Sequence, residues 1–240
     1  MNNDYVYNIF HLEGESETDK QRSELFNIAD TYMSKYYKKL DTPSIRISYD
    51  KQYKNFLASE PEFKIDGAGA RKVIGHEGWK YGEVGIWASN YTAWKNFLKT
   101  DAKYLILMED DIKLHSIFSE ILEDFISQLP EDFDMFSMFA PEDQWFLYNQ
   151  SLDINQNDVC KSYQDWSMLC YVLTRKGAEK AIQSVHDGIF MPIDWHFFKQ
   201  LNKFNVYTVK PTSGFCWLAQ IKSTFQEDEY RRIIYGNFEQ

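Results

Sequence analysis

The sequence predicts an α/β fold built on a mainly parallel central sheet flanked by helices. Three observations predict it. The chain opens strand, amphipathic helix, strand, which is a βαβ start. A short apolar run, YLILM at 104–108, reads as a strand buried on both faces. Further helical patterns alternate with short β-compatible runs as far as residue 209.

The elements follow in order. Tyr5–Phe10 is the first strand, and 18–37 is a helix with Leu25, Ile28, Ala29, Tyr32, Met33 and Tyr36 at i, i+3, i+4 spacing. Asp41, Thr42 and Pro43 end it, and 44–48 is a second strand. Residues 50–80 carry Pro61, Gly67, Gly69, Gly75 and Gly78, and read as loop with one short helix. The GAGA stretch at 67–70 follows no predicted strand, so it lacks the context of a phosphate cradle. Residues 83–99 form a strong helix, with Ile86, Asn90, Ala93, Trp94 and Phe97 on one face. After the 104–108 strand come a helix over 116–128 and a strand over 135–139. The polar, loop-rich stretch 141–165 holds Trp145 and Tyr148. A strand at 170–173 and a helix from its N-cap Thr174 through Val185 follow. Pro192, Ile193 and Asp194 precede a short helix, and Val206–Val209 is the last strand before an irregular aromatic tail. No repeat, low-complexity tract or linker divides the 240 residues, so a single domain, 1–240, is expected.

Composition sets limits. With 26 Lys and Arg against 36 Asp and Glu, the formal net charge is −10, which argues against a broad nucleic-acid-binding surface. Lys35, Lys38 and Lys39 read as a solvated helix face. Arg231 and Arg232 leave a peripheral contact with phosphate or lipid headgroups open. The three cysteines, Cys160, Cys170 and Cys216, are far apart and match neither a zinc site nor a disulfide framework. No window reaches the length of a membrane span, and the start lacks a basic leader region. A cytoplasmic protein is expected.

The chemistry concentrates in Glu109, Asp110 and Asp111, which follow the buried strand directly. Ligands of open α/β sheets bind outside the carboxyl ends of the strands. Adjacent carboxylates there suit a hard divalent cation and a substrate's phosphates. The other reading is an acidic turn, with one Asp capping the next helix. Asp194 is a late acid that stands either as a general base or as a helix N-cap. His196 is a candidate base or metal ligand, or a core histidine beside Phe197 and Phe198. His11, His76, His115 and His186 show no ligand spacing, and no G-x-S-x-G motif is present. Glu83 is favoured at its helix start by the dipole. Ser89 and Asn90 are polar in an apolar helix, and a buried Asn either ties elements together or faces a site.

The motif GEVGIWASNYTAWK at 82–95, followed by YLILMEDDI at 104–112, resembles glycosyltransferase family 25. That family includes lipooligosaccharide galactosyl- and glucosyltransferases and collagen galactosyltransferases. FDMF at 133–136, YVLTRKGA at 171–178, PID at 192–194, and Pro211 with Gln220, Ser223 and Thr224 extend the resemblance. It departs at Ile86 and Asn90, where the family usually has Cys and His. It departs again at 12–22, where an Arg-rich turn becomes acidic and leaves Lys20 and Arg22 to meet a nucleotide.

The resemblance implies a GT-A-like domain and an inverting, metal-dependent transfer of galactose or glucose from a UDP-sugar. The acceptor would be a glycan, glycolipid or protein. It implies Asp194 as the base, and Asp111 with Asp110 on manganese or magnesium. Glu83, Ser89, Asn90, Glu109, Asp110 and Arg22 would lie around the donor. A binding protein that has kept the fold without turnover is the alternative. A phosphoryl or nucleotidyl transferase is a third reading, and it requires a basic phosphate loop that the sequence lacks.

Overall fold

The computed structural model describes residues 1–67, 69, 78–139, 158–162, 167–198, 200, 202–210, 216–219, 221 and 232–234. His76, Trp145, Tyr148, Pro211, Gln220, Ser223, Thr224 and Arg231, with Ala68 and Ala70 of the GAGA stretch, lie outside the described residues.

The described chain begins with β1 (Tyr5–Phe10), α1 (Glu17–Met33), β2 (Lys38–Lys39) and α2 (Asp50–Ser59). It continues through β3 (Gly78–Lys80), α3 (Tyr81–Leu98), β4 (Tyr104–Glu109), β5 (Ile112–Leu114) and α4 (Phe118–Ser127). Then come β6 (Met135–Ser137), β7 (Val159–Lys161), β8 (Cys170–Thr174), α5 (Arg175–Asp187) and α6 (Ile193–Phe198). β9 (Val206–Val209), β10 (Cys216–Leu218) and β11 (Arg232–Ile234) complete it.

Seven strands make the central sheet in the spatial order β2-β1-β4-β8-β6-β9-β7. β1 pairs in parallel with β2 and β4, and β6 with β9. β8 runs antiparallel to both β4 and β6, and β7 antiparallel to β9. The α/β class therefore holds, with a mixed sheet rather than a mainly parallel one. A strand buried on both faces reads the same in either direction, so its apolar run carries no sign of polarity. β4 shows this burial directly. Leu105 and Leu107 enter the cluster on one face with Trp87, Trp94 and Phe97 of α3 and Ala178 and Val185 of α5. Ile106 and Met108 enter the other with Met33 of α1 and Phe118 and Leu122 of α4.

Three expected elements differ. Residues 44–48 form no strand; Lys38 and Lys39 take the sheet edge beside Val6 and Tyr7 instead. The later segment spends its backbone groups sideways, with the Ile45 N–H donating to the Ser89 hydroxyl at 2.8 Å. The buried stripe of α1 runs through Arg22, Ala29 and Met33, while Ile28 is 67% exposed. This rotation brings Arg22 to the inner face. The aromatic tail is partly ordered as strands: β10 pairs with β5 and β11 with β3. Such short pieces gain their pairing from distant partners and carry little local signal.

Asp134 explains the FD pair of the sequence motif. It is fully buried, pairs with Lys180, and accepts from the Asn205 N–H at 2.9 Å. Its carbonyl sits where a Cβ on Gly177 would come within 2.2 Å, so α5 packs here only with glycine at that position. Among the described residues, no helix is long and apolar enough to cross a membrane. Asp134→Ala leaves Lys180 and the Asn205 amide without their acceptor. It is expected to lower unfolding stability by about 2–3 kcal/mol, and an unchanged urea midpoint would refute the pinning role.

Candidate active site

The site forms where β1 and β4 end side by side. Their parallel register sets Phe10 opposite Glu109, so His11 leaves β1 beside Asp110. His11 Nδ1 lies 2.8 Å from Asp110 Oδ2, and its ring stacks on Phe26 of α1. Arg22, on the inner stripe of α1, forks across the two aspartates. One terminal nitrogen bonds Asp110 Oδ1 and the other bonds Asp111 Oδ2 at 2.9 Å. Both oxygens of Asp110 are thus engaged. Asp111 Oδ1 is buried and has no hydrogen-bond partner among the described residues.

Burial raises the Asp111 pKa above the usual carboxylate range; Asp110 adds to this and Arg22 opposes it. Glu109 is pushed up to about 8, first by burial, then by Asp111 and Asp110, with Asp194 contributing. Three carboxyl groups near one guanidinium repel one another, and Glu109 has no ion pair with Arg22 to offset that repulsion.

Two adjoining cavities use these residues. The larger, about 260 Å³, is lined by Arg22, Ser89, Asn90, Glu109, Asp110 and Asp111, with Asp19, Ser44, Arg46 and Gly85 among the rest of its wall. The second, about 220 Å³, is lined by Glu83, Ser167, Met168, Pro192, Ile193 and Asp194. Ile86 and Glu109 line both. Six sequence-predicted residues therefore meet in one cavity, and Glu83 and Asp194 meet in its neighbour.

Each also has a local structural task. Glu83 accepts from the Lys80 N–H at 2.8 Å at the start of α3. Ser89 donates to the Gly85 carbonyl at 2.8 Å while accepting from Ile45. Asn90 accepts from the buried Tyr171 hydroxyl at 2.5 Å, and that hydroxyl accepts from Trp94 Nε1 at 3.1 Å. Both alternatives for Asn90 hold: it ties α3 to β8 and it lines the cavity. Asp194 lies inside the first turn of α6 rather than at its N-cap. Its oxygens accept from the Trp195 N–H at 2.9 Å and the Ser167 N–H at 3.3 Å. Trp87 Nε1 donates to the Met191 carbonyl at 3.1 Å, tying the helix of Glu83 to the segment of Asp194.

His196 is a core residue. It is 1% exposed and packed edge-on against Trp87, Phe197 and Phe204, with Nδ1 2.9 Å from Gln200 Nε2. Neither cavity counts it among its lining residues. Sequence reasoning passed over His11, Ser44, Arg46 and Ser167. His11 and Ser44 become legible only through strand register and tertiary contact. Ser167 adopts φ 83°, a left-handed conformation uncommon for serine, and no residue pattern announces it. Among the described residues, no three His, Cys, Asp or Glu side chains converge as a metal-ligand group.

The sequence model of glycosyltransferase family 25 (LPS biosynthesis protein) matches residues 80–197, the stretch that runs from the start of α3 to α6 and carries the whole lining of the second cavity and part of the first. Over that stretch, just under half of the chain, the protein is similar to glycosyltransferase family 25. Procollagen galactosyltransferase 2 of Homo sapiens is 26% identical over 132 residues, 54% of this chain. The match spans 21% of that relative's length. Mouse xyloside xylosyltransferase 1, in its apo crystal structure, aligns over 84% of this chain and 64% of its own at 10% identity and a TM-score of 0.30. Gly85 of the GEVG motif and all three acids of the EDD motif line the larger cavity.

Burial holds the His196 pKa down at about 3, with Lys203 a lesser cause. Its neutral ring supports the fold fully above the unfolded value of about 6.5. That support is lost as pH falls from there through about 3, by up to about 1.4 kcal/mol per pH unit. Acid titration of stability is expected to be shallower in His196→Leu than in the parent over pH 6 to 4; parallel curves would exclude His196 as the cause.

Proposed function

We propose that this chain is an inverting glycosyltransferase with a GT-A-like single domain. It moves galactose or glucose from a UDP-sugar to a hydroxyl on a glycan, glycolipid or protein. One observation carries the reading: a cavity walled by the acid triplet adjoins a second cavity holding a separate carboxylate, with Glu109 and Ile86 between them. An inverting displacement needs this division. The leaving diphosphate departs on one side, and the acceptor loses its proton on the other.

Asp194 takes the base role. Two backbone N–H groups hold its carboxylate, which suits a group that must stay oriented while accepting a proton. As the acceptor oxygen bonds the sugar's anomeric carbon, its proton passes to Asp194. The bond from that carbon to the phosphate oxygen breaks, and its electron pair leaves with UDP. Glu83, Ser89, Asn90, Glu109 and Arg22 shape the donor's surroundings. Asp110 holds Arg22 and His11 in place.

A divalent ion, manganese or magnesium, fits at Asp111. Its buried Oδ1 has no partner, and carboxylate oxygen is the donor that hard cations take. Asp111, with Glu109 and Asp110 beside it, would hold the ion, which when bound supplies positive charge for the departing diphosphate. The binding-protein alternative has its own support, because Arg22 and His11 already satisfy Asp110.

A screen of UDP-galactose and UDP-glucose hydrolysis, with and without manganese, separates the two readings. Binding without turnover of either sugar favours the alternative. Asp194→Asn keeps an acceptor oxygen for the Trp195 amide, gives up the longer contact to the Ser167 amide, and loses basicity. It is expected to bind donor normally and turn over about 10²–10⁴-fold more slowly. Retention of most activity removes Asp194 from the base role. In calorimetry, Asp111→Asn is expected to abolish the manganese dependence of donor binding, and an unaltered metal response would count against the assignment.

A further inference from the structure

The larger cavity poses a charge problem. Asp19, Glu109, Asp110 and Asp111 line it, against Arg22 and Arg46. Arg22 is buried and committed to Asp110 and Asp111. A nucleoside diphosphate entering here needs a cation that the protein's own acids have not consumed. Arg46 meets that need: it is exposed and forms no ion pair among the described residues. One terminal nitrogen donates to the Glu13 carbonyl at 3.1 Å, which braces the side chain and leaves its other N–H groups available.

The backbone around Arg46 is pinned from two sides. The Ser44 hydroxyl accepts from the His11 N–H at 2.8 Å. The Ile45 N–H donates to Ser89, which is itself bonded to the Gly85 carbonyl. A Cβ at Gly85 would lie 3.0 Å from the Ile45 carbonyl oxygen and 3.3 Å from the Ile47 nitrogen. Residues 45–47 therefore lie close against α3 at position 85, where a side chain would push the segment outward.

We propose that Arg46 grips the diphosphate of the donor and that Gly85 and Ser89 position it to do so; this rests on the donor reading above. A guanidinium engages two phosphate oxygens in parallel, which a lone ammonium cannot do. Arg46 thereby supplies, from a different segment, the charge that the acidic turn at 12–22 lacks.

Calorimetry on the full chain with UDP, inorganic pyrophosphate and uridine tests this. Arg46→Gln is expected to weaken UDP and pyrophosphate by about 10–100-fold, the worth of a charge-assisted pair, and to leave uridine unchanged. Arg46→Lys recovers part of the loss. Gly85→Ala weakens the same two ligands and adds little on top of Arg46→Gln. Equal UDP and pyrophosphate affinities in parent and Arg46→Gln overturn the proposal, as does an equal loss for uridine. Arg46-dependent pyrophosphate binding with UDP no tighter than pyrophosphate sinks the uridine donor while Arg46 stands. A parent chain that binds neither phosphate ligand overturns both.

Discussion

Burying two adjacent aspartates at the end of a central strand is the constraint on which the rest of this structure depends. Asp110 and Asp111 are 6% and 7% exposed, and carboxylates at that depth must be paired. Arg22 does the pairing and can do so only if α1 turns it inward. The helix therefore buries Arg22 on the stripe of Ala29 and Met33 and leaves Ile28 in solvent. His11 takes the remaining oxygen of Asp110, which requires β1 to end level with β4. The ion-pair cluster thus couples the rotation of a helix to the register of a sheet.

The same economy governs the wall across the cavity. α3 is buried almost all round, and its polar residues are spent on neighbours rather than water. Ser89 receives the chain at Ile45, Asn90 receives Tyr171, and Gly85 admits the 44–47 segment. The site faces that these residues present are by-products of satisfied hydrogen bonds, and that is why they hold still.

Much of the fold was legible. The apolar run at 104–108 and the periodicity of the helices over 83–99, 116–128 and 174–185 each survive as β4, α3, α4 and α5 with small shifts in their ends. Thr174 caps α5, its hydroxyl accepting from the Gly177 N–H at 3.0 Å. What local pattern missed was pairing. Residues 44–48 have the composition of a strand but no ladder to join, and Lys38 and Lys39 have little strand character but the vacant edge beside β1. β5, β10 and β11 exist only through partners far along the chain.

By itself the sequence determined the acid triplet, the strand it terminates, the apolar helices around it and the motif pair that resembles family 25. These depend on side-chain type and spacing, which a linear chain displays. The tertiary structure alone decided that Arg22 spans Asp110 and Asp111, that His11 joins them, and that His196 is core. It also decided that Asp194 stands across Glu109 in a separate cavity, and that Arg46 reaches the first one. Each of these rests on strand register, helix rotation and competition for buried hydrogen bonds. Those are settled by the whole core at once, and no single segment carries them.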